Sequence, residues 1–273
     1  MKKFLLIVIS ILMFSSMVYA KAYTRIISLA PSITKSLYEL GIDKELLGIT
    51  SFCPKGKSQK EIIGTLIEPD LEKIISLKPD LIIAAKEGNS KVMVEKLQRA
   101  GFDIYTMEMS QGFEELCKNF EALGKVLGKE KEAGNIIKKA QSQIDEIYKA
   151  AQNRQIQTVF WEIGDKPLYT AGGKSFLNGY NKYSNTKNIY DGVLNARYSP
   201  IDIEDVLMRN PDIIIAADMD GNDAAQIRSS WAKYSSIKAV KNKKIYVFSA
   251  DDLFGLTPTI FAETLKKIFN TIQ

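Results

Sequence analysis

Residues 69–85 read PDLEKIISLKPDLIIAA and residues 201–217 read IDIEDVLMRNPDIIIAA. Eight of the seventeen positions are identical at a constant offset of 132, among them Glu72 with Glu204, Pro79 with Pro211 and Asp80 with Asp212. Such a repeat constrains the fold more than any single motif, because it demands two copies of one unit. Each copy predicts an amphipathic helix (Leu71, Ile74, Ile75, Leu77; then Ile203, Val206, Leu207), a Pro-Asp turn, and a β-branched run (81–84; 213–216) of the kind buried in a parallel sheet. The same offset carries residues 25–28 onto 157–160, two further strand candidates, so the repeating unit is read as a whole lobe.

The first twenty residues stand apart from this plan. Lys2 and Lys3 open it, residues 4–14 are apolar except for Ser10, and Val18 and Ala20 occupy −3 and −1 of a cleavage site. This is the pattern of a secretory signal peptide. Its apolar core is shorter than the about 20 residues of a membrane-spanning helix. The expectation is a cleaved, soluble, exported chain, periplasmic in a two-membraned bacterium. The first cysteine is Cys53, so no lipid anchor is expected. Without Lys2 and Lys3 the formal charge falls from +5 to +3, too mild for a nucleic-acid footprint. Cys53 and Cys117 would meet an oxidising compartment, and the sequence leaves their pairing open. The chain has no histidine, which removes the commonest transition-metal ligand and the usual general base.

Strand and helix alternate through the first half: strand 25–29, a helix from Pro31 to Leu40 with Ser32 as its cap and Gly41 as its stop, strand 47–50, loop 51–59, the first repeat copy, loop 86–90, helix 91–100 and strand 103–107. That order predicts a parallel α/β sheet. From Phe113 the spacing becomes helical, with apolar residues at 116, 120, 123 and 127, then at 133, 137, 140, 144, 147 and 151. Two helices are expected, broken near 124–128. The second, 129–152, is long enough at about 36 Å to run between two lobes, and a helical hairpin packed on one lobe is the alternative. The second lobe follows as strand 158–163, loop 165–174, helix 175–183, loop 185–199, the second repeat copy, helix 224–234, strand 244–248, a loop with Asp251 and Asp252, and a helix from Pro258. The expected organisation is therefore a signal peptide over 1–20, an α/β lobe over 21–128, a linking helix over 129–152 and an α/β lobe over 153–273.

Several apparent motifs fail on their own chemistry. Gly172-Gly173-Lys174-Ser175 has the tail of a phosphate-binding loop, but Leu168 stands where its leading glycine belongs, so a turn before a helix is expected. Residues 218–229 begin like a calcium loop, yet Asp223 replaces the needed glycine and Ser229 the bidentate glutamate. Asp251-Asp252 suits helix capping better than acid/base work. No histidine partners any nucleophile. The chain is read as a non-enzyme with no cofactor and no metal site.

A binding cleft is better supported. In open α/β sheets ligands sit beyond the carboxyl ends of the strands. The segments there carry Ser32, Phe52, Cys53, Lys86, Trp161 with Glu162, Tyr169, Arg197, Tyr198, Asp252 and Phe254. Aromatic faces with a few cations suit a large, flat or ring-shaped ligand bearing some negative charge. Phe52 and Tyr198, in polar loops, carry this reading most directly, whereas Trp161 is equally suited to lobe packing. Glu72 and Glu204 lie in the first turns of the two repeat helices, where a carboxylate favours the helix dipole. One such glutamate per lobe would also present a pair of carboxylates to a two-fold partner carrying arginines.

With these residues in view, the Ala30-Pro31-Ser32 opening, the Leu71-Glu72-Lys73-Ile74 and Lys78-Pro79-Asp80-Leu81-Ile82-Ile83 block, the single linking helix and the second copy from Ile203-Glu204 resemble the helical-backbone (class III) substrate-binding proteins of ABC importers. The resemblance implies two Rossmann-like lobes joined by one long helix. It implies a monomeric periplasmic receptor for an iron complex (siderophore or haem) or cobalamin, delivering to a membrane permease dimer that Glu72 and Glu204 would engage. Leu66 and Ala85 stand where cobalamin receptors present aromatics, and the Ser51-Phe52-Cys53-Pro54 loop lacks the tyrosine that haem receptors use. The rival class is an exported enzyme or calcium-dependent interaction protein on the same fold.

Overall fold

The computed structural model of the chain describes residues 22–219, 221 and 224–272. The expected signal peptide lies outside the described residues. In chain order the elements are β1 (Ile26–Ser28), α1 (Pro31–Glu39), β2 (Leu46–Ile49), β3 (Glu61–Ile62), α2 (Leu71–Ser76), β4 (Leu81–Ala85), α3 (Lys91–Arg99), β5 (Ile104–Met107), α4 (Phe113–Val126), α5 (Glu130–Ala151) and β6 (Gln157–Asp165). There follow β7 (Leu168–Ala171), α6 (Asn178–Ser184), β8 (Thr186–Asn188), β9 (Tyr198–Pro200), α7 (Ile203–Arg209), β10 (Ile213–Asp218), α8 (Ala224–Trp231), α9 (Lys238–Lys241), β11 (Ile245–Ser249), α10 (Ala250–Phe254) and α11 (Pro258–Thr271).

The repeated block becomes α2 with β4 and α7 with β10, and its identical residues have identifiable work. Asp70 caps α2, accepting from the Lys73 amide at 3.1 Å; Asp202 holds the same place before α7. Each helix ends on a left-handed residue, Lys78 (φ 47°) and Asn210 (φ 48°), followed by a proline that cannot continue it. Asp80 then accepts from the Thr24 and Arg25 amides at 2.8 and 3.0 Å, and Asp212 from the Thr158 amide and hydroxyl at 2.9 and 2.8 Å. The aspartates thus pin β4 to β1 and β10 to β6. The strand pairing corrects one detail of the repeat. Ile26 pairs with Leu81 but Val159 pairs with Ile213, so β1 and β6 correspond at an offset of 133, one residue fewer separating strand from block in the second copy.

The first sheet runs β3-β2-β1-β4-β5, parallel throughout. The second runs β11-β10-β6-β7-β9, with β8 also pairing β6, and here β7 and β9 are antiparallel to their neighbours. The second sheet is therefore mixed, and β7 and β9 occupy segments read from sequence as loops. Both are short, four and three residues, and β7 is the return arm of a hairpin from β6, a pairing that local apolar periodicity does not signal.

Alternation along the strands gives each sheet two buried faces. Ile26, Leu81 and Ile83 join one core of the first sheet, and Ile27, Ile82 and Ala84 the other. In the second sheet Val159, Trp161, Ile213 and Ile215 face α5 and α11, while Phe160 and Ile214 face Trp231 of α8. The 22-residue α5, about 33 Å long at 1.5 Å per residue, gives Ala133 to the first sheet's core and Ala140, Ile144, Ile147 and Ala151 to the second's. It connects the two, as the linking-helix reading requires. Beside it α4 does the same in reverse, with Phe120 and Leu123 in the first core but Phe113 and Leu116 in the second. Further contacts cross between the halves: Lys35 meets Asp251 at 2.8 Å, and Glu39 accepts from the Thr257 and Thr259 hydroxyls at 2.6 and 3.0 Å.

Candidate functional site

The carboxyl ends of β1, β4 and β5 open on a cavity of about 80 Å³ lined by Ser32, Ala85, Lys86, Met107, Glu108 and, from the other half of the chain, Leu256. Ser32 reaches it because Ala30, not Ser32, is the N-cap of α1. With Pro31 in the first turn, Ser32 falls inside the helix and makes no capping bond. Its position corrects the capping expectation and leaves the hydroxyl at the cavity. A groove of about 490 Å³ continues outward past Lys86, Glu87, Asn89, Lys91 and Gln98. Asn89 is buried and organises this rim, accepting from the Ala85 amide at 2.7 Å and donating to the Leu29 and Leu66 carbonyls at 3.0 and 2.9 Å.

The two cations expected to meet a negatively charged ligand are both paired within the protein. Lys86 Nζ lies 2.8 Å from each oxygen of Glu108, and Arg197 forms an ion pair with Glu87 that bridges the two halves of the chain. The mouth of the cavity is thus charge-balanced. Glu87 and Glu108, which line the cavity and pair these cations, are the side chains that sequence reasoning missed. Glu87, adjacent to Lys86 on the same strand-end loop, was the available signal.

In the second half Tyr198 of β9 meets Phe254 of α10 edge-on, ring centroids 6.3 Å apart, and neither is among the residues that line the cavity. Burial raises the Tyr198 phenol above its usual range, opposed by a hydrogen bond with Ser175 and by the Arg197 charge. Asp251 and Asp252 lie in the first turn of α10, not in a loop, and the caps here are Ser249 for α10 and Thr257 for α11. Asp252 is held by Lys267 at 2.7 Å, on α11. Its neighbour Asp251 is the one that faces the other half, through Lys35.

The remaining candidates scatter. Trp161 is 1% exposed and packs with Tyr180, ring centroids 6.2 Å apart, so it belongs to the core and offers no face to a ligand in this conformation. Cys53 is likewise buried, 3.1 Å from the Thr50 hydroxyl, in the core of the first sheet, while Cys117 packs against that of the second. Both thiols are free. Tyr169 stands on the face of β7 shared with Ala171 and is partly exposed. Phe52 is 79% exposed and outside the cavity. Glu72 and Glu204 are both exposed in the first turns of α2 and α7, and neither enters an ion pair among the described residues.

The 172–175 segment is a turn, as expected. The amides of Gly172, Gly173 and Lys174 donate to the carbonyls of Arg197, Leu194 and Ala196, so the donors a phosphate would need are used. A Cβ at Gly172 would lie 2.3 Å from the Ala196 carbonyl oxygen, which explains the glycine. The calcium-like stretch includes residues 220, 222 and 223, which lie outside the described residues. Among the described residues no cluster of three His, Cys, Asp or Glu side chains suits a metal, and no helix is long and apolar enough to cross a membrane.

Comparison with known proteins adds a family. Residues 26–251 match the periplasmic binding protein family. An uncharacterised ABC transporter substrate-binding lipoprotein of Bacillus subtilis is 30% identical over 235 residues, 83% of this chain and 73% of the relative. A vitamin B12-binding protein of Vibrio vulnificus is 28% identical over 251 residues, 91% of this chain and 90% of the relative. Among solved structures, a protein of Staphylococcus epidermidis described as a possible iron-binding (periplasmic solute-binding) protein superposes with a TM-score of 0.82 at 28% identity, covering 92% of this chain and 99% of that one.

Proposed function

The chain belongs to the periplasmic binding protein family, and from that premise we propose that it captures an iron complex (siderophore or haem) or cobalamin and hands it to the permease dimer of an ABC importer. The observation that carries this reading is the cavity at the strand ends, walled by Leu256 from the far half and bridged by Glu87 with Arg197. Its volume of about 80 Å³ is below the roughly 300–1,000 Å³ of small-molecule sites. A ligand of the kind named for the relatives therefore enters by parting the bridge. That is inexpensive: the two side chains are 31% and 45% exposed, and exposed ion pairs contribute about 0.2–1 kcal/mol. Once it is parted, Arg197 supplies charge, and Tyr198 with Phe254 and Phe52 supply aromatic faces.

In this reading the protein works as a monomer without turnover, released into the periplasm by cleavage after Ala20 and unlipidated, since its cysteines stand only at 53 and 117. Glu72 and Glu204, one per lobe and without an ion pair among the described residues, would take permease arginines.

The test is titration of the purified mature chain with cyanocobalamin, haemin and a ferric hydroxamate, followed by intrinsic fluorescence. One of them is expected to saturate, with Tyr198→Ala weakening it about tenfold and Glu72→Lys with Glu204→Lys abolishing uptake while leaving solution affinity intact. Absence of saturation by all three overturns the ligand class; uptake unchanged by the double variant overturns the docking role.

A further inference from the structure

The neighbour of Trp161 on β6 has a different environment. By strand alternation Glu162 faces the opposite side of the second sheet, with Phe160 and Ile214 rather than with Trp161. It is 6% exposed, and among the described residues it is the only charged residue that is buried as a whole. Oε2 accepts from Trp231 Nε1 of α8 at 2.7 Å. Among the described residues no cation lies within ion-pair distance of it, and Oε1 accepts no hydrogen bond.

Two cavities meet at this carboxylate. One, of about 140 Å³, is bounded by Gly164, Ala217, Gln226 and Ile227; the other, of about 340 Å³, by Leu168, Ile203, Trp231 and Tyr234; Asp165, Lys166 and Ser230 border both. Neither shares a residue with the cavity that holds Leu256.

Charges of both signs lie around Glu162. Asp165 lies three residues further along β6. Asp218 ends β10 on the same face, two residues past Ala216, the strand partner of Glu162. Lys166 is paired with Asp165 at 3.4 Å and is 87% exposed. Lys233 lies over the Tyr234 ring at 4.9 Å, and Arg228 of α8 turns its Nε to the Ile245 carbonyl at 3.4 Å. Among the described residues these three cations thus make other contacts and none is within ion-pair distance of Glu162, while Lys233 also borders the cavity of about 340 Å³.

We propose that this pocket is a second binding site, in which Glu162 takes a small organic monocation, an alkylammonium or guanidinium, through its free oxygen, with Ser230 and Gln226 as further polar contacts. A buried carboxylate is stable in charged form only when paired and hydrogen-bonded. Half of that requirement is met by Trp231, and the cavity leaves room for the other half. Burial pushes the empty carboxyl up to about 7, the Trp231 bond opposing and Asp165 reinforcing the shift. A cationic guest must displace that proton, so its binding is linked to pH. The site is independent of whatever the cleft between the sheets carries.

The test uses the mature chain in sodium phosphate, titrated calorimetrically with methylguanidinium and with ethylammonium at pH 8 and pH 5.5. Saturable binding is expected at pH 8 and about thirtyfold weaker binding at pH 5.5, because affinity falls about tenfold per pH unit once the carboxyl is protonated. Tetramethylammonium, which cannot donate a hydrogen bond, should not bind. Glu162→Gln keeps the volume and an acceptor for Trp231 and should abolish binding at pH 8, while its unchanged circular dichroism spectrum reports an intact fold. Absence of saturable heat from both cations at pH 8 would overturn the proposal, as would binding that survives in Glu162→Gln or is equal at the two pH values.

Discussion

Replacing Glu162 by glutamine should make the protein more stable at neutral and alkaline pH, by an amount set by the burial of the carboxyl. In the fold the group titrates at about 7 rather than 4.5, first because of burial. A folded value above the unfolded one means that the protonated form is favoured natively. The wild type therefore keeps its full stability below about pH 4.5 and loses this contribution as pH rises to about 7, after which the loss is constant. A shift of that size corresponds to about 3 kcal/mol, and with the side chain 6% exposed solvent screening reduces it little. Glutamine cannot ionise, yet its amide oxygen still accepts from Trp231. The assay is urea denaturation of both proteins from pH 4.5 to pH 8.5; urea is needed because guanidinium could occupy the pocket. The stability gap should be near zero at pH 4.5, open through pH 6, and level off at about 3 kcal/mol above pH 7.5. Coincident urea midpoints at pH 8, or a gap of equal size at both ends of the range, would refute the reasoning.

Two further perturbations probe the frame around the sites. Lys78→Gly places the residue suited to φ 47° at the end of α2 and should stabilise by about 0.5–1 kcal/mol; a lower melting temperature would show that the left-handed turn is not strained by lysine. Phe261→Ala removes a ring 1% exposed that stacks on Tyr180 at 4.5 Å and contacts Phe113, Phe176 and Tyr183. It should cost about 3–5 kcal/mol in chemical denaturation, and a loss under 1 kcal/mol would mean that this aromatic cluster repacks freely.

Much of the scaffold was legible because its signals are local. The block around Pro79-Asp80 and Pro211-Asp212 announces a helix, a Pro-Asp turn and a buried strand within seventeen residues. The change of period at Phe113 marks the two helices that run between the cores. The candidate site was less legible. Of the residues chosen for their chemistry, Lys86 lines the cavity and Arg197 bridges to Glu87 of its lining, Tyr198 and Phe254 are not in that lining, and Trp161 and Cys53 are in the cores. Strand-end position alone does not say which way a side chain points.

By itself the sequence determined a repeated β-α unit, the parallel order of the first sheet and one glutamate in the first turn of each repeat helix, since helix and strand periods depend only on residues a few positions apart. The tertiary structure alone decided what each charge faces. Glu87 meets Arg197 across about 110 residues of chain, and Glu162 meets Trp231 across 69. Such encounters are set by how sheets and helices pack, so no spacing in the sequence encodes them. The same packing turns one of two adjacent side chains, Trp161, into core and leaves the other, Glu162, as a buried carboxylate facing a cavity.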